Sequence, residues 1–222
     1  MPTISKITLS RVLPAVFAGM EQSPAIAQSE VWLAPELEFH RGRRYMIAAE
    51  SGCGKSSLLS FIYGNRTDYQ GEIRFDQADI RQFTIGKWCA LRTASLSILP
   101  QEMRIFPELT ALENIEIKNQ LTAHKTSGQI LQMLDRLGIA SKAHSPAGTM
   151  SIGQQQRLAI VRALCQPFDF LLLDEPVSHL DQRNNREVAD MIAEEATAQG
   201  AGVIITSVGH NLLLPDTEII HL

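Results

Sequence analysis

The stretch Ala49-Glu50-Ser51-Gly52-Cys53-Gly54-Lys55-Ser56-Ser57 brings two glycines, an ammonium and three hydroxyls together. In such a loop successive backbone N–H groups point inward at a polyphosphate, and a following helix N-terminus adds partial positive charge. Lys55 reaches the β and γ phosphates and Ser56 offers its hydroxyl to Mg²⁺, while Ser51, Gly52, Cys53, Gly54 and Ser57 complete the cradle. Cys53 has two readings, a small loop residue whose backbone does the binding or a reactive thiol at a helix start. A second acidic group, Asp174-Glu175-Pro176, follows a short apolar run. A third stretch, Ser151-Ile152-Gly153-Gln154, presents a serine and a glycine where a helix begins, and such a terminus binds anions.

These groups need a scaffold that brings them to one edge. Tyr45-Met46-Ile47-Ala48 before the loop and Leu58-Leu59-Ser60-Phe61-Ile62 after it give strand, glycine loop, helix. The loop resembles a Walker A motif with Ala49 in place of the first glycine, which a negative φ tolerates. Ahead of it, near-alternation from Ile4 to Val12 and the apolar Val31, Leu33, Leu37 and Phe39, interrupted at Pro35, predict two antiparallel strands. Pro14 to Ser29 between them is loop-like. It contains Phe17, an aromatic that either stacks on adenine or is a half-buried loop residue.

Past the first helix, Gly64 and Asn65 offer a stop, and Gly71 to Phe75 predicts a short strand. The run Leu96 to Pro100 leads to a lone Gln101. Helical character follows, with capping boxes at Thr110/Glu113 and Thr126/Gln129 and a terminating Gly138, so that residues 102–150 form a helical insert in an α/β core. Ser151 with Gln154 makes a third capping box, opening a helix that ends before Pro167. Phe168 to Leu173, continuously apolar, predicts a buried parallel strand with Asp174 and Glu175 at its carboxyl end, where open α/β sheets collect ligands. A helix from Asn184 to Ala198 stopping at Gly200, a buried strand from Gly202 to Thr206 and an edge strand from Thr217 to Leu222 complete the chain.

Composition narrows the field. With 20 basic and 24 acidic residues among 222, the chain has net charge −4, and no basic run tracks a nucleic-acid backbone. Three scattered cysteines, Cys53, Cys89 and Cys165, form neither a disulfide framework nor a metal-ligand spacing, which fits a reducing, cytosolic compartment. The basic and apolar residues from Lys6 to Ala27 imitate a leader, but Pro14 breaks a short apolar part. No stretch reaches the roughly 18 apolar residues needed to span a bilayer.

In order, the phosphate loop, Gln101, Met150-Ser151-Ile152-Gly153-Gln154-Gln155-Gln156-Arg157, Leu171-Leu172-Leu173-Asp174-Glu175-Pro176, Ser178-His179-Leu180-Asp181 and a histidine after the last core strand resemble the ATP-binding subunit of an ABC transporter over nearly the whole chain. The resemblance implies one ATPase domain with a P-loop core of mainly parallel sheet (RecA-like, residues 1–101 and 151–222), an N-terminal antiparallel β subdomain and a helical subdomain at 102–150. It assigns Asp174 to Mg²⁺ through water, Glu175 to the general base, and Gln101 to the metal, the attacking water and the membrane partner.

Ser151 and Gly153, with Gln154 and Asp181, would complete the nucleotide site of a second subunit, so that ATP joins two copies head to tail. The switch histidine would be His210, although Thr206-Ser207-Val208-Gly209 precede it where the family has a threonine directly, leaving Ser207 as the other occupant of that place. Ile152 stands where the family's signature has a glycine. The stretch Ile98 to Gln101 and Phe106 to Ile115 is similar to the branch serving lipoprotein release and efflux. The implied partners are an integral-membrane transporter subunit and a second ATPase subunit, with no nucleic acid, at the cytoplasmic face of the membrane. An ABC-type ATPase of DNA repair and a small-molecule P-loop kinase are the competing readings.

Overall fold

The computed structural model describes residues 3–209, 212 and 214–222. The chain enters as β1 (Lys6–Pro14), passes a one-turn helix α1 (Pro24–Ala27), and returns as β2 (Leu37–His40), antiparallel to β1. Next come β3 (Arg44–Ala48), α2 (Lys55–Ile62), β4 (Tyr69–Phe75) and β5 (Ala78–Asp79). The antiparallel sheet has the order β2-β1-β4-β5. Half of it therefore comes from after the phosphate loop, so it is not a subdomain built from the chain's N-terminal residues alone.

The rest of the chain supplies α3 (Ile85–Ala94), β6 (Leu96–Leu99), α4 (Ala111–Asn119), α5 (Ser127–Arg136), α6 (Ile152–Leu164), β7 (Phe170–Asp174), α7 (Gln182–Gln199), β8 (Gly202–Ser207) and β9 (Thr217–His221). Five strands form a parallel sheet in the order β6-β7-β8-β3-β9. Parallel pairing puts every carboxyl end at one edge. The phosphate loop leaves β3 there, Pro100 and Gln101 leave β6, Glu175 leaves β7, and Ser207 ends β8.

Every residue of β7 and β8 is buried, as the continuous apolar runs predict for strands covered on both faces. Successive side chains point to opposite faces. Leu171, Leu173, Val203 and Ile205 enter the core shared with α4 to α7, whereas Phe170, Leu172 and Ile204 enter the core shared with α2 and the antiparallel sheet. The parallel sheet is thus clamped between two cores, and burial of each such side chain contributes about 1.5–3 kcal/mol.

The three capping boxes form as expected, at Thr110/Glu113, Thr126/Gln129 and Ser151/Gln154, and α7 stops at Gly200. Residues 31–33 are a turn instead of a strand. The Ser29 hydroxyl accepts the N–H groups of Val31 and Trp32, curling the chain so that both side chains are buried. Helix α3 and strand β5 have no counterpart in the sequence reading.

Candidate functional site: a phosphate loop facing two polar residues

Helix α2 opens on Gly54, with φ 93° and no side-chain cap. By contrast, α3 to α7 each open on a capping side chain: Thr84, Thr110, Thr126, Ser151 and Asp181. The first N–H groups of α2 are therefore left for a ligand, at the positive end of the helix. Gly54 is required twice, by its left-handed φ and by crowding: a Cβ there would lie 3.1 Å from Trp32 Cζ2 and 3.2 Å from Phe17 Cε2. Ala49 is not among the residues with positive φ, which removes the conflict of its methyl group with the usual glycine.

Lys55 is 5 % exposed, and its ammonium donates to the carbonyls of Ala49 at 3.1 Å and Glu50 at 2.6 Å. Those two bonds close the loop around the side chain. Ser56 is exposed at the helix start, and the Ser57 hydroxyl accepts from Arg66 at 2.8 Å. The Cys53 carbonyl accepts from the Trp32 indole at 3.0 Å, so this residue's backbone is part of the loop's support. Phe17 is half-buried next to Gly54.

A cavity of about 270 Å³ lies over the loop, lined by Ser51, Gly52, Gly54, Lys55, Ser56 and Ser57 on one side and by Gln101 and Glu175 on the other. Asp174 is 5 % exposed, and its Oδ1 accepts from the Thr206 hydroxyl at 2.6 Å. Glu175 has φ 48°, unusual for a residue with a side chain and costing about 1 kcal/mol. Four contacts hold it: its N–H donates to Thr206 O at 3.2 Å and Oγ1 at 3.3 Å, and its carbonyl accepts from Gln156 Nε2 at 3.2 Å and from the Ser178 N–H at 3.4 Å.

Ser151, Ile152, Gly153 and Gln154 are not in this cavity. They form the first turn of α6, with Ser151 and Ile152 exposed. Gln154 Oε1 accepts the Ser151 N–H at 2.9 Å. A Cβ on Gly153 would come within 2.9 Å of the His179 carbonyl, so glycine lets this turn lie against the segment after Glu175. Gln156 latches the two: Nε2 donates to Glu175 O and to Ser178 Oγ at 3.3 Å, and Oε1 accepts the His179 N–H at 3.0 Å. Asp181, exposed, caps α7, and the Asn184 backbone N–H holds its carboxyl below the usual carboxylate range.

His210 lies outside the described residues. Ser207, the other occupant considered for its place, is buried at the end of β8, where its carbonyl accepts the Ala49 N–H at 3.4 Å. Trp32, Gln156 and Thr206 carry support that sequence reasoning missed. The third Gln of Gln154-Gln155-Gln156 was the available signal for one of them; the others depend on contacts across the fold.

A sequence profile described as ABC transporter matches residues 34–178. An uncharacterized ABC transporter ATP-binding protein of Mycobacterium tuberculosis is 31% identical over 182 residues, covering 81% of this chain and 54% of the relative, so the chain spans about half the length of that protein. The lipoprotein-releasing system ATP-binding protein LolD of Pseudomonas fluorescens is 27% identical and covers 84% of each chain. Among solved structures, the dimeric bacterial ABC transporter cassette MJ0796 superposes with a TM-score of 0.75 at 21% identity, covering 97% of this chain and 94% of the other, a likeness of fold.

Proposed function

The chain belongs to the ABC transporter family, and from that premise we propose that it is an ATP-binding subunit that hydrolyses ATP, pairs head to tail with a second ATPase subunit, and drives a separate membrane-spanning subunit. One observation carries the reading: Gln101 and Glu175 face Lys55 and Ser56 across a single cavity at the carboxyl edge of the parallel sheet. The division into a RecA-like core at residues 1–101 and 151–222 and a helical subdomain at 102–150 is part of the same proposal, supported by α4 and α5 lying between β6 and α6. Those helices have nine and ten residues, far from the long coiled coils of DNA-repair relatives, so the DNA-directed alternative is not favoured.

In this reading the loop N–H groups and the start of α2 bind the phosphate chain, and Lys55 leaves its loop carbonyls for the β and γ phosphate oxygens. Ser56, Gln101 and Asp174 offer a hydroxyl, an amide and a carboxylate, hard oxygen donors of the kind Mg²⁺ takes. Mg²⁺ bound there supplies neutralisation of the phosphate charge. Glu175 orients and deprotonates the attacking water, with its backbone fixed by Thr206 and Gln156. The exposed first turn of α6, with Ser151 and Gly153, faces outward to complete the second subunit's site, and Gln154 and Asp181 flank it.

For the membrane subunit we assign the groove beside Gln101. Ile98, Pro100, Phe106 and Ile117 give it an apolar lining, and Arg104, Lys118 and Arg162 give it positive charge. Within it Phe106 is 49 % and Ile117 41 % exposed. Among the described residues no helix is long and apolar enough to cross a membrane. The location implied is the cytoplasmic face of the membrane, and the LolD relative supports the branch concerned with release or efflux.

The test is equilibrium binding of a fluorescent ATP analogue to Lys55→Ala. Loss of the charge-assisted contacts weakens binding by roughly 100-fold. Unchanged affinity would refute the nucleotide assignment.

A further inference from the structure

We propose that Trp32 is a positioning residue of the nucleotide site: its indole N–H holds the Cys53 carbonyl out of the phosphate loop and thereby aims the Gly54 N–H into it. The inference rests on reading that loop as the nucleotide cradle. Trp32 is 2 % exposed and does not line the cavity, so it acts through the loop and not by touching a ligand.

The geometry begins at Ser29, whose hydroxyl accepts the N–H groups of Val31 at 3.1 Å and Trp32 at 2.8 Å and so fixes the turn that carries the ring. From there the indole Nε1 reaches the Cys53 carbonyl at 3.0 Å. That carbonyl and the Gly54 N–H belong to one planar trans peptide, in which the two groups point in opposite directions. Holding one on Trp32 turns the other toward the far side, where Gly54 borders the cavity.

Without the tether this peptide is poorly determined. Gly52 and Gly54 on either side of Cys53 have φ of 87° and 93°, and glycine resists rotation less than any other residue. A flipped peptide would present a carbonyl dipole to the phosphates in place of a donor. The ring also walls the loop from behind, since its Cζ2 lies 3.1 Å from where a Gly54 Cβ would stand. The same side chain thus fixes both the direction of the peptide and the position of the residue that follows it.

Two variants separate the hydrogen bond from the packing. Incorporating β-(3-benzothienyl)alanine at position 32 keeps the fused ring and replaces its N–H by sulfur; Trp32→Phe removes the donor with a smaller ring. The benzothienyl variant preserves the buried shape where Trp32→Phe fails to fold. Affinity for a fluorescent ATP analogue falls roughly three- to tenfold, KM for ATP rises by the same factor, and kcat at saturating ATP stays within about twofold. Unchanged affinity in the benzothienyl variant overturns the role of Trp32 and leaves the nucleotide reading intact, including when its thermal midpoint falls, the mark of a purely structural contact. Loss of kcat at constant KM also overturns it. Absence of ATP binding by the unaltered protein overturns both.

Discussion

Cys165 shows how far a side chain's chemistry follows from its surroundings. It is 0 % exposed in the core under α6, and burial pushes its thiol up to about 12 from an ordinary 9.0. Cys89 is exposed. A thiol reagent at pH 8 should therefore modify Cys89 in the native protein and Cys165 only after unfolding; equal rates would contradict the burial. The unfolded chain ionises first, so the stability contributed by the neutral buried thiol is complete below pH 9.0 and is lost as pH rises toward about 12, readable as a falling midpoint in a pH series of thermal melts. Residues such as Lys55, Ser56 and Glu175 were legible in the sequence because a phosphate loop and a strand-end carboxylate have fixed local spacing. Trp32 and Thr206 were not. Their partners Cys53 and Asp174 lie 21 and 32 residues away, and only the fold brings them together.

Between residues and the molecule stands the contact of α6 with the segment from Glu175 to Asp181. Gly153 lets the first turn of α6 approach the His179 carbonyl, and Gln156 joins Glu175, Ser178 and His179. The helix whose first turn carries Ser151, proposed to serve a second subunit, is therefore tied to the backbone of its own Glu175. Gln156→Leu keeps the side-chain volume and leaves three polar groups without this partner, costing about 2–3 kcal/mol. We expect ATP affinity within about twofold of the unaltered protein and kcat reduced at least tenfold, measured by steady-state hydrolysis. Normal turnover would mean that Glu175 is held adequately by Thr206 and the Ser178 N–H without Gln156.

At this scale the sequence was most legible where signals are short-range. A capping box joins residues three apart, and the buried parallel strands are runs of apolar side chains, so α4 to α7 and β7 and β8 were found. Helix α3 was missed because it buries only Leu91 and leaves Ile85 84 % exposed, which erases the helical period. The strand expected at Val31 to Leu33 failed for a different reason. A single hydroxyl, that of Ser29, bends the chain and buries Val31 and Trp32 together, so alternation no longer reports strand.

The whole molecule presents two outward surfaces to which the proposed function assigns partners: the groove beside Gln101, and the face carrying Ser151, Ile152 and Asp181. Ile152 is 51 % exposed on that second face, so the proposed head-to-tail pairing would have to accommodate a branched side chain there. Pairing is also the claim on which the roles of Ser151, Gly153, Gln154 and Asp181 depend, because none of them lines the cavity over its own phosphate loop. The most direct measurement is the solution mass of Glu175→Gln with and without Mg-ATP, since removing the base traps the ATP-bound state. A species that is monomeric alone and doubles in mass only with Mg-ATP is the predicted result. A variant that binds ATP and remains monomeric at every concentration tested would contradict the head-to-tail pairing.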